Sequence, residues 1–115
     1  MVTRNELKNL SDVILVLSTC PSDAAEEIAS RLVDEGHAAC VNIIPQINSI
    51  YRWQGRVERN TETLMMIKCT ANSYPKLEKQ LLALHPYELP EIITVPNIGG
   101  LPEYLQWVSN PEQAS

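Results

Sequence analysis

Two long strand-like runs on either side of Gln54-Gly55 constrain this chain more than any other feature. From Val41 onward the odd positions Val41, Ile43, Ile47, Tyr51 and Trp53 are apolar or aromatic, while Asn42, Gln46, Asn48 and Arg52 are polar. That period of two is the pattern of a half-buried strand. Gln54-Gly55 fits a two-residue hairpin turn, and a returning strand runs from about Arg56 to Thr70, polar at first and apolar through Leu64-Met65-Met66-Ile67. Pro45 cannot donate to a ladder, so the first arm must bend or lie at an edge there. A hairpin this long outreaches the core of a small domain, and its outer half needs something to pack against. Open edges of this kind invite other strands, and closed symmetric association of identical copies is the usual remedy.

The rest of the chain supplies the elements that frame the hairpin. Val13-Ile14-Leu15-Val16-Leu17 is a β-branched-rich run of the kind buried on both faces, and Asp23-Ala24-Ala25-Glu26 reads as a capping box opening a helix. Ile28, Leu32 and Val33 then share a face, and Gly36 supplies a left-handed terminator beside His37. Ser73 is placed to cap a second helix with Pro75 in its first turn and Leu77, Leu81 and Leu84 as its core stripe. Pro86 ends it. Glu91 to Ile98 reads as a fourth strand, and Gly99-Gly100 turns into a short helix with Pro102 at its start, carrying Tyr104, Leu105, Trp107 and Val108. The order β-α-β-β-α-β-α defines an α+β protein with the ferredoxin-like, split βαβ sandwich: an antiparallel sheet with two helices on one face. At 115 residues the chain is one domain. The expected division is a loose extension over 1–11, a domain over 12–110 and a tail over 111–115.

Charge and cysteine usage narrow the function classes. A formal charge of −5 argues against a nucleic-acid partner, which needs a basic stripe to displace counterions. Cys20, Cys40 and Cys69 are odd in number and contain no CxxC pair, so they indicate reduced thiols and not a disulfide framework or zinc cluster. The apolar run Val13 to Leu17 is too short for a signal-peptide core, and nothing approaches membrane-spanning length. A soluble, cytoplasmic protein without a membrane partner is expected. The aromatic set contains no Phe but four Tyr and two Trp, residues suited to interfaces and half-wet pockets.

The densest chemistry lies in His85-Pro86-Tyr87-Glu88-Leu89-Pro90-Glu91. It sets an imidazole beside a phenol and carboxylates on a connector that two prolines stiffen. Polar groups on a stiff connector between regular elements are where sites tend to lie. The plainer alternative is that the prolines stop a helix and start a strand while His85 answers the helix dipole.

Several runs together resemble one family: Ser18-Thr19-Cys20-Pro21, Ala38-Ala39-Cys40-Val41-Asn42, Ser49-Ile50-Tyr51-Arg52-Trp53-Gln54-Gly55, the strand from Glu62 to Lys68, the His85 to Glu91 connector and Tyr104-Leu105-Gln106-Trp107. Over about Val13 to Val108 the chain is similar to CutA, the divalent-cation tolerance family. The resemblance implies a homotrimer with hairpins wrapped around neighbouring subunits, a likeness to PII signalling trimers, and a role in tolerance to copper or another divalent cation. It also implies that Cys40, Tyr51, Trp53, Lys68, Tyr87 and Glu91 line an intersubunit cleft as ligand-binding residues, with His85 as the metal ligand. One departure bears on copper: some bacterial members carry Cys and His where this chain has Ser18 and Leu84, and loss of thiolate and imidazole lowers copper affinity. Cys20, two positions on and on the same strand face, is a possible substitute for Ser18.

Three readings follow. In the first, the trimer binds a divalent metal ion through its cleft. In the second, a PII-like trimer senses a small molecule or acts as a scaffold: Lys68 and His85 hold a small anion between walls of Tyr51, Trp53 and Tyr87, unless Lys68 instead pairs with a buried Glu91. In the third, Cys40 is a nucleophile and His85 its base; no local signature supports this, so the chain is not expected to be an enzyme.

Overall fold

The computed structural model describes residues 12–96 and 98–113. The expected extension over 1–11 and the last two residues of the expected tail lie outside them, and Pro111–Gln113 forms a turn of 3-10 helix. The elements are β1 (Val13–Cys20), α1 (Ser22–Asp34), β2 (Cys40–Trp53), β3 (Arg56–Thr70), α2 (Tyr74–Leu84), β4 (Ile93–Val95) and α3 (Pro102–Ser109). All strand pairs are antiparallel, in the order β2-β3-β1-β4, so the two consecutive arms of the hairpin form one side of the sheet and β1 separates β3 from β4. This is the ferredoxin-like arrangement expected from the element order.

The hairpin sets the size of the molecule. Fifteen residues of β3 at about 3.3 Å each reach roughly 50 Å, and the longest dimension of the described chain is 49 Å. Gln54 and Gly55 turn the chain with φ of 50° and 79°, the two positive angles that a tight hairpin turn requires. At Pro45 the strand does more than bend. Ile44 pairs with Leu64 but Ile47 pairs with Glu62, so β2 spends one residue more than β3, and Gln46 takes φ of 60°. A one-residue bulge moves every later side chain to the other face. Val41 and Ile43 therefore lie on one face of the sheet, whereas Ile47, Tyr51 and Trp53 lie on the opposite face; the single apolar stripe read from the odd positions is two stripes.

The face carrying Ile14, Val16, Met65, Ile67 and Cys69 packs under α1 and α2 through Ile28, Leu32, Leu77 and Leu81. On the other face, among the described residues, only α3 lies against the sheet, burying Leu105 and Val108 on Val13. Leu15, Leu17, Leu64 and Met66 are consequently half-buried, and Ile44, Ile93 and Val95 are exposed. The expectation that the Val13 to Leu17 run is buried on both faces holds at Val13 and fails beyond it, because α3 is too short to cover the rest.

Four local expectations also need correction. Strand β4 has three residues, not the eight of Glu91 to Ile98, because Pro90 and Pro96 flank it and neither can donate to a ladder. Helix α1 starts after Pro21, with the Ala24 N–H donating to the Pro21 carbonyl at 3.0 Å. Asp23 thus sits inside the first turn, where its charge suits the helix dipole, and not at the cap. Val33 turns away from the core and is 42% exposed. Ser73 does precede α2, but its hydroxyl accepts from Thr70 Oγ1 at 2.9 Å instead of capping the helix.

Leu32 is fully buried between α1 and the sheet. Leu32→Ala is expected to cost about 2–5 kcal/mol in urea unfolding, whereas Val33→Ala one position on should stay within about 0.5 kcal/mol. Equal losses would contradict the assigned helix face.

Candidate functional site

The seven residues expected in one cleft fall into three groups along the sheet. His85, Tyr87 and Glu91 sit where β1 ends. The His85 ring Nε2 lies 2.7 Å from the Thr19 carbonyl oxygen, and the Tyr87 N–H donates to Nδ1 at 3.1 Å. A carbonyl only accepts, so Nε2 carries the proton, Nδ1 is the acceptor, and both nitrogens are committed. His85 is 8% exposed, and its ring tilts against Tyr87 with centroids 4.8 Å apart. The Tyr87 hydroxyl donates to Glu62 Oε2 at 2.7 Å, although Glu62 is itself only 5% exposed. Burial, then this bond and the charge of Glu62, push the Tyr87 phenol well above its usual range. Ser18 Oγ donates to the Glu91 carbonyl at 2.7 Å, while the Glu91 side chain is exposed. Ser18 thus ties the connector to β1.

About 20 Å from Glu62 along β3, Lys68 stands in register with Leu15 on one side and Cys40 on the other. Its Nζ donates to Asn42 Oδ1 and lies 3.9 Å from Cys40 Sγ. Among the described residues Lys68 has no carboxylate partner, so the alternative pairing with Glu91 is not made within one chain. Burial and contact with Cys40 raise the Tyr104 phenol. Tyr51 and Trp53 form the third group near the hairpin tip, where Asn60 Nδ2 donates to the Tyr51 hydroxyl. Cys40 and His85 belong to different groups, so no nucleophile and base pair is assembled within one chain.

Glu62, Thr19, Asn42 and Tyr104 complete these groups without having been singled out in the sequence as site residues. Glu62 left one signal: an ionisable residue at the point where the second arm turns apolar, on the same strand parity as Lys68. Thr19 acts through its backbone, which side-chain motifs do not reveal.

The donor set is poor for a metal ion within one chain. No three His, Cys, Asp or Glu side chains among the described residues stand together as a metal site. Cys20 is fully buried in the core; burial, then Glu62 and Asp23, raise its thiol to about 11. A metal ion could take Cys20 as a ligand only by opening the core around it and displacing the thiol proton. The larger surface depression, about 700 Å³ between α1 and β2, includes none of the seven residues. A smaller cavity of about 220 Å³ beneath α3 includes Lys68. No helix among the described residues is long and apolar enough to cross a membrane.

A ferredoxin-like sheet with one face left open, a long hairpin and polar groups spread along its strands defines a protein of the CutA and PII-like structural class. The family model described as CutA1 divalent ion tolerance protein matches residues 14–111, and the chain belongs to that family. The divalent-cation tolerance protein CutA of Thermus thermophilus is 50% identical over 95 residues, covering 82% of this chain and 92% of the relative. Protein CutA of Mus musculus is 48% identical over 91 residues, 78% of this chain but 51% of the relative; the chain spans about half the length of that animal protein. Among solved structures, CutA from Xylella fastidiosa superposes with a TM-score of 0.82 at 48% identity, over 85% of this chain and 95% of that one. A PII-like protein CutA from Nostoc sp. PCC 7120 does so with a TM-score of 0.80 at 35% identity, over 89% and 99%.

The buried thiols generate a pH prediction. Cys20 and Cys69 are both raised to about 11 from 9.0, the latter by burial. A group whose pKa rises on folding stabilises the fold below its unfolded value and loses that contribution as pH passes its folded value. Stability to urea should therefore decline between about pH 9 and 11. At pH 8 a disulfide thiol reagent should leave Cys20 and Cys69 unmodified until the chain unfolds; rapid labelling of either in the folded protein would contradict their placement.

Proposed function

We propose that the chain serves divalent-cation tolerance as a cytoplasmic homotrimer that binds copper or a related ion through clefts between subunits, without catalysing a reaction. The observation that carries this reading is the apolar sheet face that the described residues leave uncovered: Leu15, Leu17, Leu64 and Met66 half-buried, Ile93 and Val95 exposed. Contiguous apolar area of that kind marks an interaction surface. Neighbouring copies seated on it would bring the Tyr51 and Trp53 arm of one chain toward the His85, Tyr87 and Glu91 connector of another, with Cys40 and Lys68 at the far end of the same face. The described residues of one chain hold no full metal donor set, and symmetry copies are the economical source of the missing ligands.

His85 remains the ligand we assign, on a condition its geometry imposes. Either ring nitrogen reaches a metal ion only by giving up its present partner, Thr19 or Tyr87. That competition favours a second reading, a PII-like trimer that senses a small molecule and needs no physiological metal.

Calorimetric titration of metal-stripped protein with Cu(II), then Zn(II), separates the two. The metal reading predicts saturable binding that weakens at least tenfold in His85→Ala, in a variant of unchanged assembly mass. Absent binding, or binding that the substitution leaves unaltered, contradicts it and favours the small-molecule reading.

A further inference from the structure

No further inference is drawn: the strongest candidate, the apolar groove of about 700 Å³ between α1 and β2 rimmed by Glu26 and Asp34, runs along the edge strand of the sheet, and nothing in the structure shows what covers it.

Discussion

The bulge at Pro45 and Gln46 decides what each face of this protein presents. Without it the odd positions of β2 would all lie under the helices, and the outer arm would offer Ile47, Tyr51 and Trp53 to a core that does not extend that far. With one extra residue in β2, Val41 and Ile43 stay on the helix-covered face while Ile47, Tyr51 and Trp53 join Leu15, Leu17, Leu64 and Met66 on the other. Proline contributes by removing a ladder donor, and Gln46 absorbs the kink at φ of 60°. Ile47, Tyr51 and Trp53 are thereby gathered onto the same surface as the half-buried Leu15, Leu17, Leu64 and Met66.

From that arrangement follows the separation of chemistry along the sheet. At one end, His85 acts as a strut: Thr19 and Tyr87 fix its tautomer, Tyr87 closes over the buried Glu62, and Ser18 fastens Glu91. The His85 ring nitrogens and the Tyr87 and Ser18 hydroxyls in that cluster already have partners, which stabilises the connector and opposes easy capture of a metal ion by one chain. At the other end, Lys68 donates to Asn42 and Cys40 beside an apolar cavity.

The element order, the hairpin turn and the core stripe of α2 were legible in the sequence because each depends on local signals: alternation, Gln54-Gly55, and Leu77, Leu81 and Leu84 at helical spacing. The switch of faces in β2 was not, since alternation on both sides of Pro45 reads as a single period and only pairing with β3 reveals the added residue. The cluster around His85 was half legible. Its residues stand in one short segment, but the groups that occupy them, the Thr19 carbonyl and the Glu62 carboxylate, come from strands distant in sequence. Lys68 drew notice through the family resemblance, whereas its lack of a carboxylate partner depends on where Glu91 ends, which packing alone determines. The three-residue β4 was overestimated because an apolar run between prolines has the composition of a strand but too few donors to build a longer one.

The central claim is that the face assembled by the bulge is closed by other copies of the chain. Sedimentation equilibrium across a range of dilute concentrations tests it directly. The account predicts one species of three times the 12.9 kDa chain mass, persisting on dilution; a stable 12.9 kDa species with the same fold would contradict it.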